Sequence, residues 1–204
     1  YVKKADLIGF SAILSVVPYY NKPSQEGLFQ HFSKLANSSI VPIILYNVPG
    51  RTSCNMEPDT VIKLAKKYKN IIGIKEAKGD LDQMNNLIKS KPSNFLVISG
   101  DDDTAAESIL NGADGVISVA AGSIPKLFIK TINYALKKEE RNTNALSDLI
   151  KPYLKLLFDE GNPSGTKAAL SILNLCENKL RLPLIPVSDS LYSKIEKFIS
   201  ENPE

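Results

Sequence analysis

Short runs of apolar and β-branched residues recur along the chain, and between them apolar residues fall three and four positions apart. The short runs predict buried strands, and the three-and-four spacing predicts amphipathic helices. Strands that are apolar on both faces and alternate with helices indicate a parallel sheet covered by helices. The predicted strands are residues 12–17, 43–47, 71–75, 95–99 and 115–118, and the helices between them are 24–38, 58–67, 81–89 and 103–110.

Such a sheet is either open and doubly wound or closed into a barrel. No Gly-rich phosphate loop follows any strand, whereas polar residues stand at the carboxyl ends of four strands, as in barrel active sites. We therefore predict a (β/α)8 TIM barrel. Five strands are three fewer than eight, so we expect this chain to lack the first three βα units and to be inactive alone. The predicted domains are five βα units at 1–138, the last of them completed by a helix at 124–138, and a helical region at 139–204 with helices at 142–157, 166–177 and 188–200.

Composition narrows the classes of function. The chain of 204 residues is 43% hydrophobic and 23% charged, which is typical of a globular domain with a substantial core. Its net charge is +3, and the basic residues are spread along predicted helices and not massed in one block. Nucleic acid is therefore not an expected partner. Without an apolar run of about 20 residues or a secretory signal, we expect a cytoplasmic protein with no membrane partner. Cys54 and Cys176 have neither zinc nor disulfide spacing and are expected to be ordinary thiols.

Lys75 ends a predicted strand on the same face as Gly73, which has no side chain. An ammonium that points into a barrel is desolvated, and desolvation lowers the pKa of a lysine until its neutral amine attacks carbonyls. The other interpretation is a lysine that reaches solvent or pairs with Glu76 or Asp101. Position alone leaves both open.

Tyr46 ends the preceding strand, and neighbouring barrel strands end at the same rim, so its phenol could relay protons to Lys75. A tyrosine at the core edge with a satisfied hydroxyl is the alternative. Arg51 follows Pro49 and Gly50 in a predicted loop, where its guanidinium could grip a carboxylate or simply be solvated.

Gly100 and three aspartates follow the strand at 95–99. Carboxylates in a row could hold Mg²⁺, but they also favour a helix amino terminus, and the sequence offers no further ligand cluster. We favour capping, with Asp103 as the N-cap, as Ser24 is expected to be for the first helix. Pro58 at a first helical position and Gly112 after a helix are further boundary signals.

Five segments in this order together resemble the dihydrodipicolinate synthase branch of the pyruvate-dependent class I aldolases. The resemblance implies a Schiff base between pyruvate and Lys75, proton relay by Tyr46, and a second relay tyrosine, Tyr20, contributed across a dimer interface. The segments are residues 18–27 (PYYNKPSQEG), 46–52 (YNVPGRT), 73–77 (GIKEA), 99–102 (SGDD) and 115–119 (GVISV).

The same resemblance assigns substrate binding to Arg51, Ile117, Gly100 and Asp101, with Arg51 on the carboxylate of L-aspartate 4-semialdehyde and the Ile117 backbone on pyruvate. It implies condensation of these two substrates to 4-hydroxy-tetrahydrodipicolinate, no metal or organic cofactor, and a homodimer or homotetramer. Family members carry three further βα units, in which a pair of threonines completes the proton relay. Those units also hold most of the site at which lysine inhibits the family's enzymes, and Tyr19 matches one residue of that site.

Two alternatives remain beside a synthase. A sugar-acid lyase of the same superfamily would keep Lys75 and Tyr46 but would not need Arg51 after the Pro-Gly turn. A non-catalytic, oligomerising relative would not need these residues, so their presence argues against it.

Overall fold

The computed structural model describes residues 9–202, which separate into two compact units, one ending at Ile117 and the other beginning at Ser118. The described part of the first unit holds five parallel strands whose order in the sheet is their order in the chain. Helices connect them, as the alternating pattern predicts. The elements are β1 (Ile13–Val16), α1 (Gln25–Ala36), β2 (Ile43–Asn47), α2 (Pro49–Thr52), α3 (Pro58–Lys67), β3 (Ile71–Glu76), α4 (Leu81–Ser90), β4 (Leu96–Ser99), α5 (Ala105–Leu110) and β5 (Gly115–Val116).

The two faces of the sheet differ in burial. Leu45, Ile74 and Val97 point to the face on which α3 packs against β3 and α5 against β4, and all three are fully buried. Side chains on the other face include Leu14 and Leu96, which are partly exposed. Because side chains alternate along a strand, the residues that follow each other at a strand end belong to different faces.

Local signals fix most helix ends. The Ser24 hydroxyl accepts a hydrogen bond from the Gly27 amide at 3.2 Å, which confirms the predicted N-cap of α1. Pro58 is the first residue of α3, and Gly112 follows α5 with φ +112°, both as predicted.

The prediction that Asp103 caps the fourth helix is wrong. The helix α5 begins at Ala105, after Thr104. The carboxylate of Asp101 accepts hydrogen bonds from the Thr104 amide at 3.0 Å and hydroxyl at 2.8 Å. Asp101 lies three positions before the amide that it binds, the same spacing as Ser24 to Gly27, and it closes the turn that precedes the helix. The capping carboxylate is therefore two residues earlier than predicted.

As far as residue 202, the second unit is helical, with a 3₁₀ turn at Ala120–Gly122 followed by four α-helices. Its core includes Tyr153, which is fully buried, stacks on Phe198 at 4.5 Å and donates a hydrogen bond to the Ser123 hydroxyl at 2.7 Å. The predicted helix 166–177 ends early because Asn174 adopts φ 58°, a left-handed conformation. The helices are α6 (Pro125–Leu136), α7 (Glu140–Asp159), α8 (Ser164–Ile172) and α9 (Asp189–Glu201).

Both cysteines are free thiols, as predicted. Burial raises the pKa of the Cys54 thiol, which disfavours the thiolate, the reactive form of cysteine. Within residues 9–202, no helix combines the length and the apolar character that crossing a bilayer requires.

Candidate active site

Lys75 and Tyr46 lie side by side at the carboxyl ends of β3 and β2. The two residues are direct partners in the parallel register, and both point to the sheet face opposite the helices. The Lys75 Nζ lies 4.5 Å from the centroid of the Tyr46 ring. This distance allows the aromatic face to attract the ammonium and places the phenol beside the amine. The predicted pairing of the two strand ends is therefore present.

Partial burial lowers the pKa of the Lys75 amine, because the charged form is less well solvated there. The negative charge of Asp102 acts in the opposite direction and raises it. The sequence left open a pairing of Lys75 with Glu76 or Asp101, but Glu76 belongs to the opposite face of β3 and Asp101 binds Thr104. Asp102 is the carboxylate that acts on the amine.

Gly100 provides space for the lysine side chain. A Cβ atom at this position would lie 2.7 Å from Lys75 Cε and 2.9 Å from Lys75 Cγ. Any larger residue would displace the aliphatic part of the lysine, because such separations are far below van der Waals contact. The glycine after β4 thus determines where the amine sits.

Arg51 comes before Lys75 in the chain and Ile117 after it, and each lies shortly beyond the carboxyl end of a strand. Arg51 is exposed and lies on α2, a single turn of helix directly after β2, and not in the loop that the Pro-Gly pair predicted. The Ile117 amide donates to the Ser99 carbonyl at 2.9 Å, and its side chain is 43% exposed. The residues that follow β2, β4 and β5 therefore lie at the carboxyl edge of the sheet, where β3 also ends.

Tyr20 is 89% exposed, follows β1 and adopts φ 64°. A large aromatic side chain left in water within a strained turn contributes little to the packing of its own chain. The structure thus presents the Tyr20 ring outward, while Tyr46 and Lys75 meet within the chain.

Two features of this centre escaped prediction from sequence. The sequence indicates Asp102 as one of three adjacent capping or metal-binding carboxylates, whereas in the structure it is buried and its charge raises the pKa of Lys75. Asn47 and Glu76 follow Tyr46 and Lys75 directly, and both are buried on the helix face of the sheet. Polar residues at positions that alternation assigns to a buried face were the available signal.

We predict that Asp102→Asn shifts the pH dependence of imine formation at Lys75 toward lower pH. Asp102 raises the pKa of Lys75, so removing its charge lowers that pKa and leaves more neutral amine at any given pH. The measurement is the rate of borohydride trapping of pyruvate against pH. Asp103→Asn, which changes an exposed neighbouring carboxylate, is the control and should leave the profile in place. An unmoved profile, or a shift to higher pH, in Asp102→Asn would contradict the assigned interaction.

Comparison with known proteins identifies the family. Residues 1–202 match the Dihydrodipicolinate synthetase family. A 4-hydroxy-tetrahydrodipicolinate synthase of Flavobacterium psychrophilum is 47% identical over 200 residues, which are 98% of this chain and 68% of that protein. The dihydrodipicolinate synthase of Thermotoga maritima superposes with a TM-score of 0.94 at 38% identity, over 98% of this chain and 69% of that one. The chloride-inhibited enzyme from Acinetobacter baumannii, solved with pyruvate, gives 0.90 at 41% identity, over 95% and 66%.

The chain spans about two thirds of the length of these relatives. Over that span, the matches confirm the predicted α/β fold of the TIM-barrel type and the prediction of an enzyme, a synthase of the lyase type. They support the synthase over both alternatives that the sequence left, because the matching proteins carry this synthase name. The chain belongs to the Dihydrodipicolinate synthetase family.

Proposed function

We propose that the whole protein condenses pyruvate with L-aspartate 4-semialdehyde to 4-hydroxy-tetrahydrodipicolinate, as the names of its relatives indicate. The observation that carries this proposal is the placement of the Lys75 amine, partly desolvated, against the Tyr46 ring and in the space that Gly100 leaves. A lysine with a lowered pKa at the carboxyl end of a barrel strand is suited to attack a ketone.

In the proposed first half-reaction, the neutral amine attacks the keto carbon of pyruvate, and loss of water gives a protonated imine. Loss of a proton from the substrate methyl group then gives an enamine, whose carbon attacks the aldehyde of the second substrate while the aldehyde oxygen takes up a proton. The amino group of the second substrate then attacks the imine carbon, which closes the ring and releases the Lys75 amine. Each step moves a proton, and we assign this transfer to Tyr46, because its ring already contacts the Lys75 ammonium. Asp102 supplies negative charge beside the nitrogen that is positive in the imine.

Substrate binding is assigned to the groups around the end of β3. Arg51, exposed on α2, is proposed to hold the carboxylate of the semialdehyde with two parallel hydrogen bonds. The Ile117 backbone is proposed to contact pyruvate, and Gly100 and Asp101 to line the substrate site from the end of β4. Since these groups lie on several segments, the substrates would be held on more than one side.

We further propose that the smallest competent assembly is a dimer in which Tyr20 enters the partner's site. Its 89% exposure and left-handed backbone fit a side chain that is held outward for a second subunit. Sedimentation equilibrium at assay concentration should therefore show no active monomer. Tyr20→Phe should preserve association and lower turnover, whereas Tyr19→Phe, the neighbouring exposed tyrosine, should have a smaller effect. A fully active monomer would contradict the proposal.

The function is tested on the full-length protein with purified substrates. Pyruvate should be consumed only when L-aspartate 4-semialdehyde is present, and N-acetylneuraminate should release no pyruvate. Release of pyruvate from the sugar acid, without consumption in the presence of the semialdehyde, would favour the lyase and overturn the proposal. Closure of the barrel with three further βα units, the domain boundary at residue 138 and a cytoplasmic location stay predictions.

A further inference from the structure

A buried carboxylate lies directly behind the proposed active site. Glu76 is 1% exposed, although it follows Lys75 in β3. Its Oε1 accepts hydrogen bonds from Asn47 Nδ2 at 3.0 Å and from the Lys78 amide at 2.9 Å. Its Oε2 accepts from Asn47 Nδ2 and Gln83 Nε2, both at 2.9 Å. A carboxylate is rarely buried without compensation, so these partners require an explanation.

Each of these partners is an N–H group that donates a hydrogen bond to the carboxylate. The pKa of Glu76 is raised, because burial outweighs the hydrogen bonds from Asn47, Gln83 and the Lys78 amide, which lower it. Since both oxygens are already occupied by donors, a proton on Glu76 would have to break one of these bonds. The arrangement is built for the ionised form, which makes the strongest hydrogen bonds.

The carboxylate joins segments that are far apart in sequence. Asn47 ends β2, Glu76 ends β3, and Gln83 lies in the first turn of α4. Asn55, in the segment after α2, accepts from Asn47 and also exchanges hydrogen bonds with Gln83. The network therefore connects two strand ends, one helix and one connecting segment.

The same network continues into the backbone. The Oδ1 atom of Asn47 accepts from the Met56 amide at 2.9 Å, so both ends of this side-chain amide are used. A buried network in which each member is bonded at both ends resists local displacement, because any shift leaves a buried polar group without its partner.

The register relates this network to the chemistry. Asn47 and Glu76 are partners one step beyond Tyr46 and Lys75, which are themselves partners. Alternation puts the first pair on the helix face and the second on the active face. The backbone that fixes Asn47 against Glu76 is thus the backbone that carries Tyr46 and Lys75.

We propose that Glu76 is a positioning residue that, by clamping the ends of β2 and β3 through Asn47 and Gln83, holds the Tyr46 phenol at the Lys75 amine. The inference rests on the proposed roles of Lys75 and Tyr46 and adds to them a group that touches neither substrate. Displacement of reacting groups by about 1 Å can reduce rates by ~10²-fold, so this clamp has a measurable consequence.

The test uses Glu76→Gln in the full-length protein and measures the rate of borohydride-trapped imine formation at varied pyruvate. Glutamine has almost the same volume as glutamate, but its NH₂ group would face the NH₂ groups of Asn47 and Gln83 that donate to Glu76. Two donors cannot bond to each other, so hydrogen bonds of the clamp are lost. We expect the rate constant at saturating pyruvate to fall about tenfold or more. The half-saturating pyruvate concentration should change by less than about twofold, because the groups proposed to bind pyruvate are untouched.

A second variant separates positioning from general damage. In Asn47→Asp/Glu76→Gln the donor and the acceptor of the central pair exchange sides. The carboxylate introduced on β2 can still accept from the Met56 amide, and the side-chain amides of Asn55 and Gln83 can turn over to match the exchange. We expect this pair to recover a large part of the lost rate constant, since a merely destabilising effect would grow with a second buried substitution. A double variant no faster than Glu76→Gln would overturn the clamp.

The matched control is Asp114→Asn, the same change of carboxylate to amide at the other end of the sheet. Asp114 accepts from Lys91 and from the Val97 amide at 2.7 Å, so its loss should lower thermal stability and leave trapping per folded molecule unchanged. If Glu76→Gln does not fold, Gln83→Met, which removes one donor to Glu76, takes its place with a smaller expected loss in rate.

A folded Glu76→Gln, or in its absence Gln83→Met, that traps pyruvate at the wild-type rate would overturn the positioning role alone. Failure of the wild-type protein to trap pyruvate would overturn the proposed function and this inference together. A loss in Asp114→Asn as large as that in Glu76→Gln would also overturn it, because the effect would then follow stability and not the strand ends.

Discussion

Replacing Lys75 with alanine is expected to reduce synthase turnover by at least about 10³-fold, because the covalent route through the imine then has no nucleophile. The same variant should lose the pyruvate adduct that borohydride traps on the wild-type protein. Folding should persist, since the side chain is only half-buried and contributes no hydrogen bond to the Glu76 network. Turnover and adduct mass on the purified variant are the measurements.

Lys63→Ala is the control for this prediction, because Lys63 is a lysine of the same unit that is 62% exposed and lies on α3. It should keep both turnover and adduct. Turnover in Lys75→Ala within about tenfold of the wild-type value would remove Lys75 from the mechanism.

Arg51→Ala is expected to reduce synthase turnover by a factor of tens to hundreds, equivalent to about 2–4 kcal/mol of transition-state stabilisation. The reason is that a charged, two-pronged hydrogen bond to the semialdehyde carboxylate is lost after the imine has already formed. Trapping of pyruvate alone should change much less than turnover. The two rates measured on one preparation provide the comparison.

Arg51→Lys refines this expectation. Lysine keeps the positive charge but not the planar fork, so its turnover should fall between those of the wild type and Arg51→Ala. Equal losses in trapping and turnover for Arg51→Ala would show that the residue maintains the site and does not bind the second substrate.

The regular elements could be predicted because local patterns determine them. β2 at Ile43–Asn47 and α3 at Pro58–Lys67 have the predicted bounds, since their apolar periodicity is uninterrupted and Pro58 marks the helix start. The adjacency of Tyr46 and Lys75 could also be predicted, because successive parallel strands end at one edge. Both inferences require only order along the chain and the direction of side chains.

Features that leave no periodic pattern, or that depend on contacts between distant segments, could not be predicted from the sequence. The sequence predicts a loop where the one-turn helix α2 forms, because four residues that begin with a proline carry no periodicity. Asp102 and Asp103 are neighbours of the same residue type, yet only Asp102 is buried near Lys75. The side-chain partners of Glu76 are Asn47 and Gln83, which lie 29 and 7 positions away, and no local pattern specifies such contacts.

Peptide mapping of the wild-type protein after reduction with borohydride in the presence of pyruvate tests the proposed chemistry most directly. The structure leads us to expect one adduct per chain, on the peptide that contains Lys75, because this amine has a lowered pKa and lies beside Tyr46 at the strand end. An adduct on any other lysine, or a protein that consumes both substrates without forming an adduct, would contradict the mechanism.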